Sequence, residues 1–385
     1  MNLRTVPSVA VKIDLIDIIN TFKAYNKNIY YVFKENLKSY FNYDKCIIFP
    51  KARLGLTNLL KVLSINSLRD EVVIPAYTCP TVLYSVVYSG LKPIFVDIDL
   101  DDFNISFEKT IEIVNSNTLA VVAVNMFGKR AKIEILKNYL KQRGIFLIED
   151  AAQSAGKMNN NENADFLLLS FGRAKNFSAI EGGAVLSSNR KIMSLLNNNL
   201  NNYSKITINR KLLLILKLFI YPFAVNPYIY NIIKRIPHKE NIIDIINSCS
   251  GFNFSLIQSA LGNVLLSKLD ELNKIRIRNA IKIYDFLKNN KNYYLQSPIN
   301  NVYLRFALVC KQINKNGFLI EKLNKFGINA TTANFPVLSN LYIKNNIRKF
   351  PNSIFVSSNI LTLPTHSYLK NEDIKKIKYV LCISK

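Results

Sequence analysis

The cysteines of this chain are too few and too scattered for a disulfide framework or a structural zinc site. There are five, Cys46, Cys79, Cys249, Cys310 and Cys382, and no two of them form a CxxC pair. Disulfide scaffolds use an even set, and zinc sites use closely spaced Cys and His ligands. The cysteine pattern therefore argues against both, and we predict no metal site.

Acidic residues are also scarce. The 51 Lys and Arg outnumber the 26 Asp and Glu, which gives a formal net charge of +25. This balance favours anionic partners such as phosphorylated substrates, nucleic acid or a membrane surface. Asn, Lys and Ile are abundant everywhere, so part of the excess is ordinary solvated surface. Because no basic stripe with interleaved aromatic residues marks a nucleic-acid module, we do not predict nucleic-acid binding.

The N-terminus lacks the unbroken apolar core that a signal peptide needs. Charges at Lys12, Asp14 and Asp17 interrupt it, so the predicted compartment is the cytoplasm.

At 385 residues, with 49% hydrophobic and 20% charged residues, the chain has room for two domains with their own cores. Its composition is that of a globular enzyme.

Apolar runs alternate with helical patterns between residues 46 and 187. Helix-length segments such as 52–64 and 133–143 separate several of the runs. Continuous apolar strands joined by helices predict the α/β class, with a mostly parallel central sheet and helices on both faces. Ligands bind such sheets at the carboxyl ends of the strands. The predicted strands are 71–75, 93–98, 119–127, 145–150, 166–171 and 183–188.

The rest of the chain predicts a smaller C-terminal domain of the α+β class. A single long helix is expected over 254–289, followed by a strand at VYLRFALVC and a helix at FLIEKLNKFG. We place the large domain at 1–245, with an apolar insertion at about 205–245. The linking helix and the small domain occupy 246–385.

Residues 212–233, LLLILKLFIYPFAVNPYIYNII, are the most apolar part of this insertion. Their number approaches membrane-spanning length, but Lys217, Pro222 and Pro227 interrupt them and basic residues flank them. We do not expect a full span. Two interpretations stay open: a buried helical hairpin or dimer contact, and a segment that lies in the interface of an anionic membrane.

Polar residues follow three of the predicted strands. IEDAAQS places Asp150 at a strand end and Gln153 three residues later, SFGRAKNFSAIEGG places Ser170 at a strand end and Lys175 five residues later, and VVIPAYTCPTV breaks into a loop at 76–80. Pyridoxal phosphate needs an amine, a carboxylate for its pyridine nitrogen, and donors for its phosphate. The three patterns together supply that set. Arg173 is a candidate to lower the pKa of the lysine or to bind the phosphate.

These motifs resemble the DegT/StrS family of sugar aminotransferases, which has the aspartate-aminotransferase fold. The resemblance runs from about residue 46 to the C-terminus outside the insertion, and it includes FNFSLIQSALG and LTLPTHSYL. It implies that Lys175 carries pyridoxal phosphate as a Schiff base and shuttles the proton, and that Asp150 pairs with the pyridine nitrogen. It also implies that Gln153 lies against the ring and that Ser170 binds the phosphate. Members with histidine in place of the lysine are dehydratases, so Lys175 favours transamination.

The chain departs from the family pattern at three further cofactor-binding positions. The Gly-Thr pair of the phosphate cup is here Ala52 and Arg53, where backbone donors survive and the arginine adds a charge. Cys79 stands where many members stack an aromatic ring. The asparagine that reaches the phosphate from the neighbouring subunit corresponds to Ser255, with Asn253 close by in sequence.

The resemblance implies transfer of an amino group from an amino acid, glutamate or glutamine, to a keto-sugar that is usually linked to a nucleotide. It also implies a homodimer, and a product used in cell-surface polysaccharide or secondary-metabolite biosynthesis. Two alternatives stay open: an inactive cofactor-binding scaffold or regulator, suggested by the altered phosphate cup, and an aminotransferase for a lipid-linked sugar at the membrane. The two histidines, His238 and His366, are interpreted as structural.

Overall fold

A computed structural model describes residues 3–157, 164–199, 203–234, 253–333, 335–342 and 350–383. His238, Cys249 and the predicted domain boundary at residue 245 lie outside these ranges, so the division into two domains stays a prediction.

A seven-stranded sheet organises the first half of the chain, in the order β1-β7-β6-β5-β4-β2-β3. Strands β2 to β6 are parallel to their neighbours in this set, while β7 runs antiparallel to β6 and β1. The predicted fold class is confirmed. The strands are β1 (Lys45–Phe49), β2 (Glu71–Pro75), β3 (Lys92–Val96), β4 (Thr118–Val124), β5 (Phe146–Asp150), β6 (Phe166–Ser170) and β7 (Gly183–Ser187).

The predicted strand 119–127 is too long at its carboxyl end. Strand β4 stops at Val124, and Met126–Gly128 form a 3₁₀ turn in which Phe127 has a φ of 59°. A left-handed residue cannot continue a strand, and it is uncommon outside glycine. Strand β1 was not predicted, and it pairs with β7 at the edge of the sheet.

Helices with apolar stripes cover the sheet. In α3 and α6 the buried residues recur at helical spacing and face the strands, as the sequence predicts. The helices of this half are α1 (Leu15–Ala24), α2 (Ile29–Phe41), α3 (Ala52–Ser64), α4 (Pro80–Tyr88), α5 (Phe107–Ile113), α6 (Ile133–Lys141) and α7 (Arg190–Asn198).

The insertion forms two helices, α8 (Ile208–Val225) and α9 (Pro227–Ile233), bent by 100° relative to each other. The bend has a local cause: Asn226 caps α9 with its side chain, and Pro227 occupies the first helical position, where its missing N–H costs no helical bond. No single helix in the described ranges is long and apolar enough to cross a membrane, although the bent pair meets the length and composition requirement together.

A three-stranded antiparallel sheet, β10-β9-β8, organises the C-terminal part. The prediction of one helix over 254–289 is wrong, because Lys268 separates α10 from α11. The strands are β8 (Tyr293–Leu295), β9 (Phe306–Cys310) and β10 (Ile360–Leu363), and the helices are α10 (Leu256–Ser267), α11 (Leu269–Leu287), α12 (Lys315–Lys325), α13 (Ser339–Tyr342), α14 (Pro351–Asn359) and α15 (Asn371–Lys378).

Candidate active site

Two neighbouring carboxylates end strand β5, and the alternation of a strand sends them to opposite faces of the sheet. Glu149 forms a two-pronged ion pair with Arg130, with N–O distances of 2.9 and 3.0 Å, and also accepts from Asn125 at 2.8 Å. Asp150 accepts a hydrogen bond from the backbone N–H of Ala152 at 2.9 Å. Glu149 is therefore paired inside the protein, whereas Asp150 remains available on the other face.

The charges of Lys175 and Asp150 each shift the pKa of the other residue. Burial raises the pKa of Asp150, against the Ala152 N–H and the Lys175 charge, which both lower it. Burial lowers the pKa of Lys175 and Arg305 lowers it further, against Cys79 and Asp150, which raise it. A lysine with a lowered pKa is more often neutral, and a neutral amine is the form that attacks a carbonyl. The structure thus brings Lys175, Asp150 and Cys79 together, as the motifs predict.

Ser170 lies beside the N-terminus of α3. It is paired with Gly183 across strands β6 and β7, and a side chain on Gly183 would lie 2.5 Å from the Cα of Ala52. Only glycine allows this approach, which sets the first turn of α3 against the end of β6. The first N–H groups of a helix point out of its N-terminus, and the start of α3, with Ala52 and Arg53, lies next to Ser170.

Gln153 lies at the end of β4. Its Oε1 accepts from the backbone N–H of Phe127 at 3.2 Å, and its Nε2 is 3.6 Å from the sulfur of Met126. These contacts hold a buried amide between strands β4 and β5, close to Asp150 in the chain. Gln153 therefore borders the same end of the sheet as the other predicted residues.

Cys79 is the N-cap of α4, and its sulfur lies 3.1 Å from the hydroxyl of Thr81. Cys79 raises the pKa of Lys175, which indicates that the two side chains lie on the same side of the site. The predicted stacking role of Cys79 stays a prediction.

Ser255 is a buried N-cap. Its hydroxyl bonds with the side chain and backbone N–H of Gln258 in a capping box, and Gln258 donates to the carbonyl of Glu181 at 3.1 Å. These contacts anchor α10 to the loop that follows Lys175. The described contacts do not bring Ser255 to the other site residues of its own chain, and its predicted role across a subunit boundary stays a prediction.

Two residues near the site differ from the sequence expectation. Arg173 is exposed, and Arg305 is the arginine that lowers the pKa of Lys175. Arg305 was missed because it lies 130 residues further along the chain, directly before β9, within an ordinary strand pattern. His366 is buried and bonds to the carbonyl of Pro7 at 2.8 Å, in agreement with a structural role.

Comparison with known proteins places these features in one family. A model described as the DegT/DnrJ/EryC1/StrS aminotransferase family matches residues 18–381. The chain is 31% identical over 123 residues to GDP-perosamine synthase from Vibrio cholerae, which covers 31% of this chain and 34% of that relative. It is 23% identical to the dTDP-3-amino-3,6-dideoxy-alpha-D-galactopyranose transaminase of Aneurinibacillus thermoaerophilus, over 90% of this chain and 87% of the relative.

The fold is also similar to that of a solved structure. GDP-4-keto-6-deoxy-D-mannose-3-dehydratase from E. coli, with bound hydrated PLP, superposes with a TM-score of 0.76 at 17% identity. The match covers 98% of this chain and 99% of that one. At this identity the similarity supports the fold.

Proposed function

Since the chain belongs to the DegT/DnrJ/EryC1/StrS aminotransferase family, we propose that it moves an amino group from glutamate or glutamine to a nucleotide-linked keto-sugar. The enzyme class is that of the pyridoxal-phosphate-dependent aminotransferases. The observation that carries the proposal is Lys175, a lysine whose pKa burial lowers, beside Asp150 at the carboxyl end of β5.

The residues present fit pyridoxal phosphate. Ser170 and the first N–H groups of α3 would hold the phosphate, Gln153 and Cys79 would border the ring, and Asp150 would hold the pyridine nitrogen. When bound, the cofactor supplies an electron sink for the carbon that loses or gains the amino group. In each half-reaction the Nζ atom of Lys175 would move one proton between the substrate and the bound cofactor: from the amino-acid carbon to the cofactor in the first, and from the cofactor to the sugar carbon in the second.

The lysine also decides between the two reactions of the family. In the family that these motifs resemble, members with a histidine at this position are dehydratases, and this chain has Lys175. We therefore favour transamination over dehydration. A nucleotide sugar is a suitable substrate for a basic protein, because its negatively charged diphosphate is attracted by a net charge of +25.

Absorbance spectroscopy tests this proposal directly. Purified protein should show a visible cofactor band, borohydride should fix the cofactor on the peptide that contains Lys175, and a panel of keto-sugar nucleotides should reverse the spectral change produced by glutamate or glutamine. A band on Lys175 that no amino donor alters would support the alternative of an inactive scaffold. A modified lysine elsewhere would contradict the site itself.

We propose further that the working form is a dimer, with α10 near the partner's site. The support is Ser255 and Asn253 at the start of α10, where the resembled family places a residue that reaches the neighbouring phosphate. Sedimentation at low micromolar concentration should give twice the mass of the chain, and a monomer with full activity would contradict it.

Membrane contact through the insertion is a separate proposal, carried by the outer face of α8. Its Leu212, Leu216, Phe219 and Phe223 follow each other at helical spacing and are exposed, Leu212 by 59% and Phe223 by 62%. The opposite face of the same helix is buried through Leu214, Leu218 and other residues. A helix that is apolar on both faces is not explained by packing inside one chain.

Helix α1 extends this outer face. Phe22 stacks on Phe219 with ring centroids 6.0 Å apart, and Leu15, Ile19 and Phe22 are exposed at helical spacing. Residues 208–234 contain four basic and no acidic residues, and two of the four, Arg210 and Lys217, pair with Glu181. We choose an anionic bilayer as the partner, because a second copy would bring a surface of the same charge, whereas acidic headgroups complement it.

Vesicle flotation tests the membrane proposal. The protein should float with vesicles that contain phosphatidylglycerol, float less with phosphatidylcholine alone, and be released by salt. Serine at Leu212, Leu216, Phe219 and Phe223 should abolish flotation. The matched control places serine at four other exposed apolar residues, Leu68, Ile299, Ile313 and Phe318. Protein that stays unbound at low salt, or outer-face variants that lose only self-association, would contradict it.

A further inference from the structure

Arg305 lies at the β4 side of the candidate active site, and its charge lowers the pKa of Lys175. Its backbone N–H donates to the carbonyl of Phe127 at 3.3 Å, which places it beside the residue that Gln153 holds. Phe127 has a φ of 59°, a conformation that costs energy outside glycine and often marks a functional site. The position of Arg305 is therefore fixed by the structure on the β4 side of the site.

The guanidinium of Arg305 has little to neutralise it. Within the described ranges it forms no ion pair, and its guanidinium donates a long hydrogen bond, 3.4 Å, to the hydroxyl of Thr331. Burial lowers the pKa of Arg305 to about 10, against Tyr77 and Tyr230, which raise it. It is still cationic at neutral pH. A partly buried cation without a carboxylate is costly, and binding an anion offsets that cost.

The strand order indicates that the anion bound by Arg305 is not the phosphate of the cofactor. Ser170 and Ala52 lie at β6 and β7, whereas Arg305 reaches the site from the end of β4, and β5 with Asp150 runs between them. The phosphate niche and Arg305 are thus on opposite sides of Asp150. The cofactor's phosphate does not need Arg305, so the charge of Arg305 is available to a different anion.

The two substrates differ in where their charge lies. In an amino acid the α-carboxylate is bonded to the carbon that gives up its amino group, so it must stay close to the Nζ of Lys175. In a nucleotide sugar the diphosphate is outside the ring that carries the keto group. A cation close to the lysine is therefore suited to the amino acid, and an arginine holds a carboxylate by two parallel bonds.

We propose that Arg305 binds the α-carboxylate of the amino donor and so serves the first half-reaction and not the second. The inference rests on the proposed aminotransfer. The proposal also assigns a role to Tyr77. Its buried hydroxyl has no partner within the described residues and lies near Arg305, where it is suited to donate to the same carboxylate.

The two half-reactions test this proposal when they are measured separately. In Arg305→Met the spectral change with glutamate or glutamine should slow by about a hundredfold, as expected for the loss of a charge-assisted pair. The return reaction, in which protein loaded with pyridoxamine phosphate meets the keto-sugar, should change by less than about threefold. Arg278→Met, at an exposed arginine on α11, is the control and should alter neither.

Binding without turnover gives a second measurement. α-Methylglutamate has no α-proton to lose, and 4-aminobutyrate lacks the α-carboxylate. Arg305→Met should weaken the first ligand about a hundredfold and leave the second nearly unchanged, so the two deletions should not be additive. Equal weakening of both ligands, or a defect confined to the keto-sugar, would overturn the proposal. A wild-type protein that shows no half-reaction refutes the proposed function, and the binding titration still decides the role of Arg305.

Discussion

Two regions of the molecule place side chains in unfavourable surroundings, but in opposite ways. The carboxyl edge of the large sheet buries polar groups, and the helices of the insertion expose apolar groups. At the sheet edge, Lys175 and Asp150 are polar groups in a buried setting, and their pKa values move toward the neutral forms. On α8, Phe219 and Phe223 are apolar groups in water. Most of the chain follows the ordinary rule of apolar inside and polar outside, and these two regions depart from it.

The two regions nevertheless meet at one loop. Arg210 and Lys217 of α8 form ion pairs with Glu181, which follows the lysine by six residues. The hydroxyl of Tyr221 donates to the carbonyl of Arg173 at 2.9 Å. Departures from ordinary folding rules concentrate where a protein works on something else. The comparison therefore teaches that the inner face of α8 supports the loop, while its outer face is exposed within the described residues.

The largest effect is expected at the lysine. Lys175→Ala removes the amine that we propose holds the cofactor, so the visible band and turnover should both fall below detection, while binding to anionic vesicles should be unchanged. Absorbance, turnover and flotation of the same preparation measure this. A normal band in the variant would show that another residue holds the cofactor. A loss of flotation would show that vesicle binding depends on Lys175, so that the two regions do not act independently.

Asp150→Asn should leave the cofactor bound but reduce turnover by several orders of magnitude. A neutral amide cannot hold the pyridine nitrogen protonated, so the electron sink is lost. Cofactor content and steady-state rates separate the two effects. Turnover within tenfold of wild type would show that another carboxylate has this role.

Glu149→Gln is the matched change one residue earlier. It leaves Arg130 buried without its charge partner, which should lower the free energy of unfolding by about 3 kcal/mol or more. The cofactor band should persist wherever the protein is folded. Replacing both partners, by Glu149→Leu with Arg130→Met, should cost less than the single change. Urea unfolding measures each variant, and a catalytic defect in stable Glu149→Gln would contradict the division between the two carboxylates.

The fold class could be predicted because parallel strands that are buried on both faces appear as plain apolar runs. Lys175, Asp150 and Ser170 were predictable for a related reason, since each closely follows or ends such a run. The sequence could not separate Glu149 from Asp150 by pattern; the motif did that by resemblance, and the structure supplies Arg130 as the physical reason. Arg305 and the outward face of α8 depend on tertiary contacts, which no local pattern contains.

Tyr221→Phe tests the bond between the two regions and should have the smallest effect. It removes one hydroxyl and leaves two backbone groups without their partner, the N–H of Val11 at 3.1 Å and the carbonyl of Arg173. Leaving buried groups unsatisfied should lower the free energy of unfolding by about 1–2 kcal/mol. The loop before Lys175 loses one support, so turnover should fall by less than tenfold.

Tyr228→Phe is the control, because Tyr228 is exposed on α9 and its change should stay within about 0.5 kcal/mol. Urea unfolding, turnover and flotation are compared for both variants. If Tyr221→Phe lowers stability and turnover but not vesicle binding, the inner face of α8 supports catalysis and the outer face acts independently. If it matches Tyr228→Phe in every measurement, α8 does not support the catalytic loop. The two regions would then share a surface without sharing a function, and the ion pairs of Glu181 would be ordinary surface contacts.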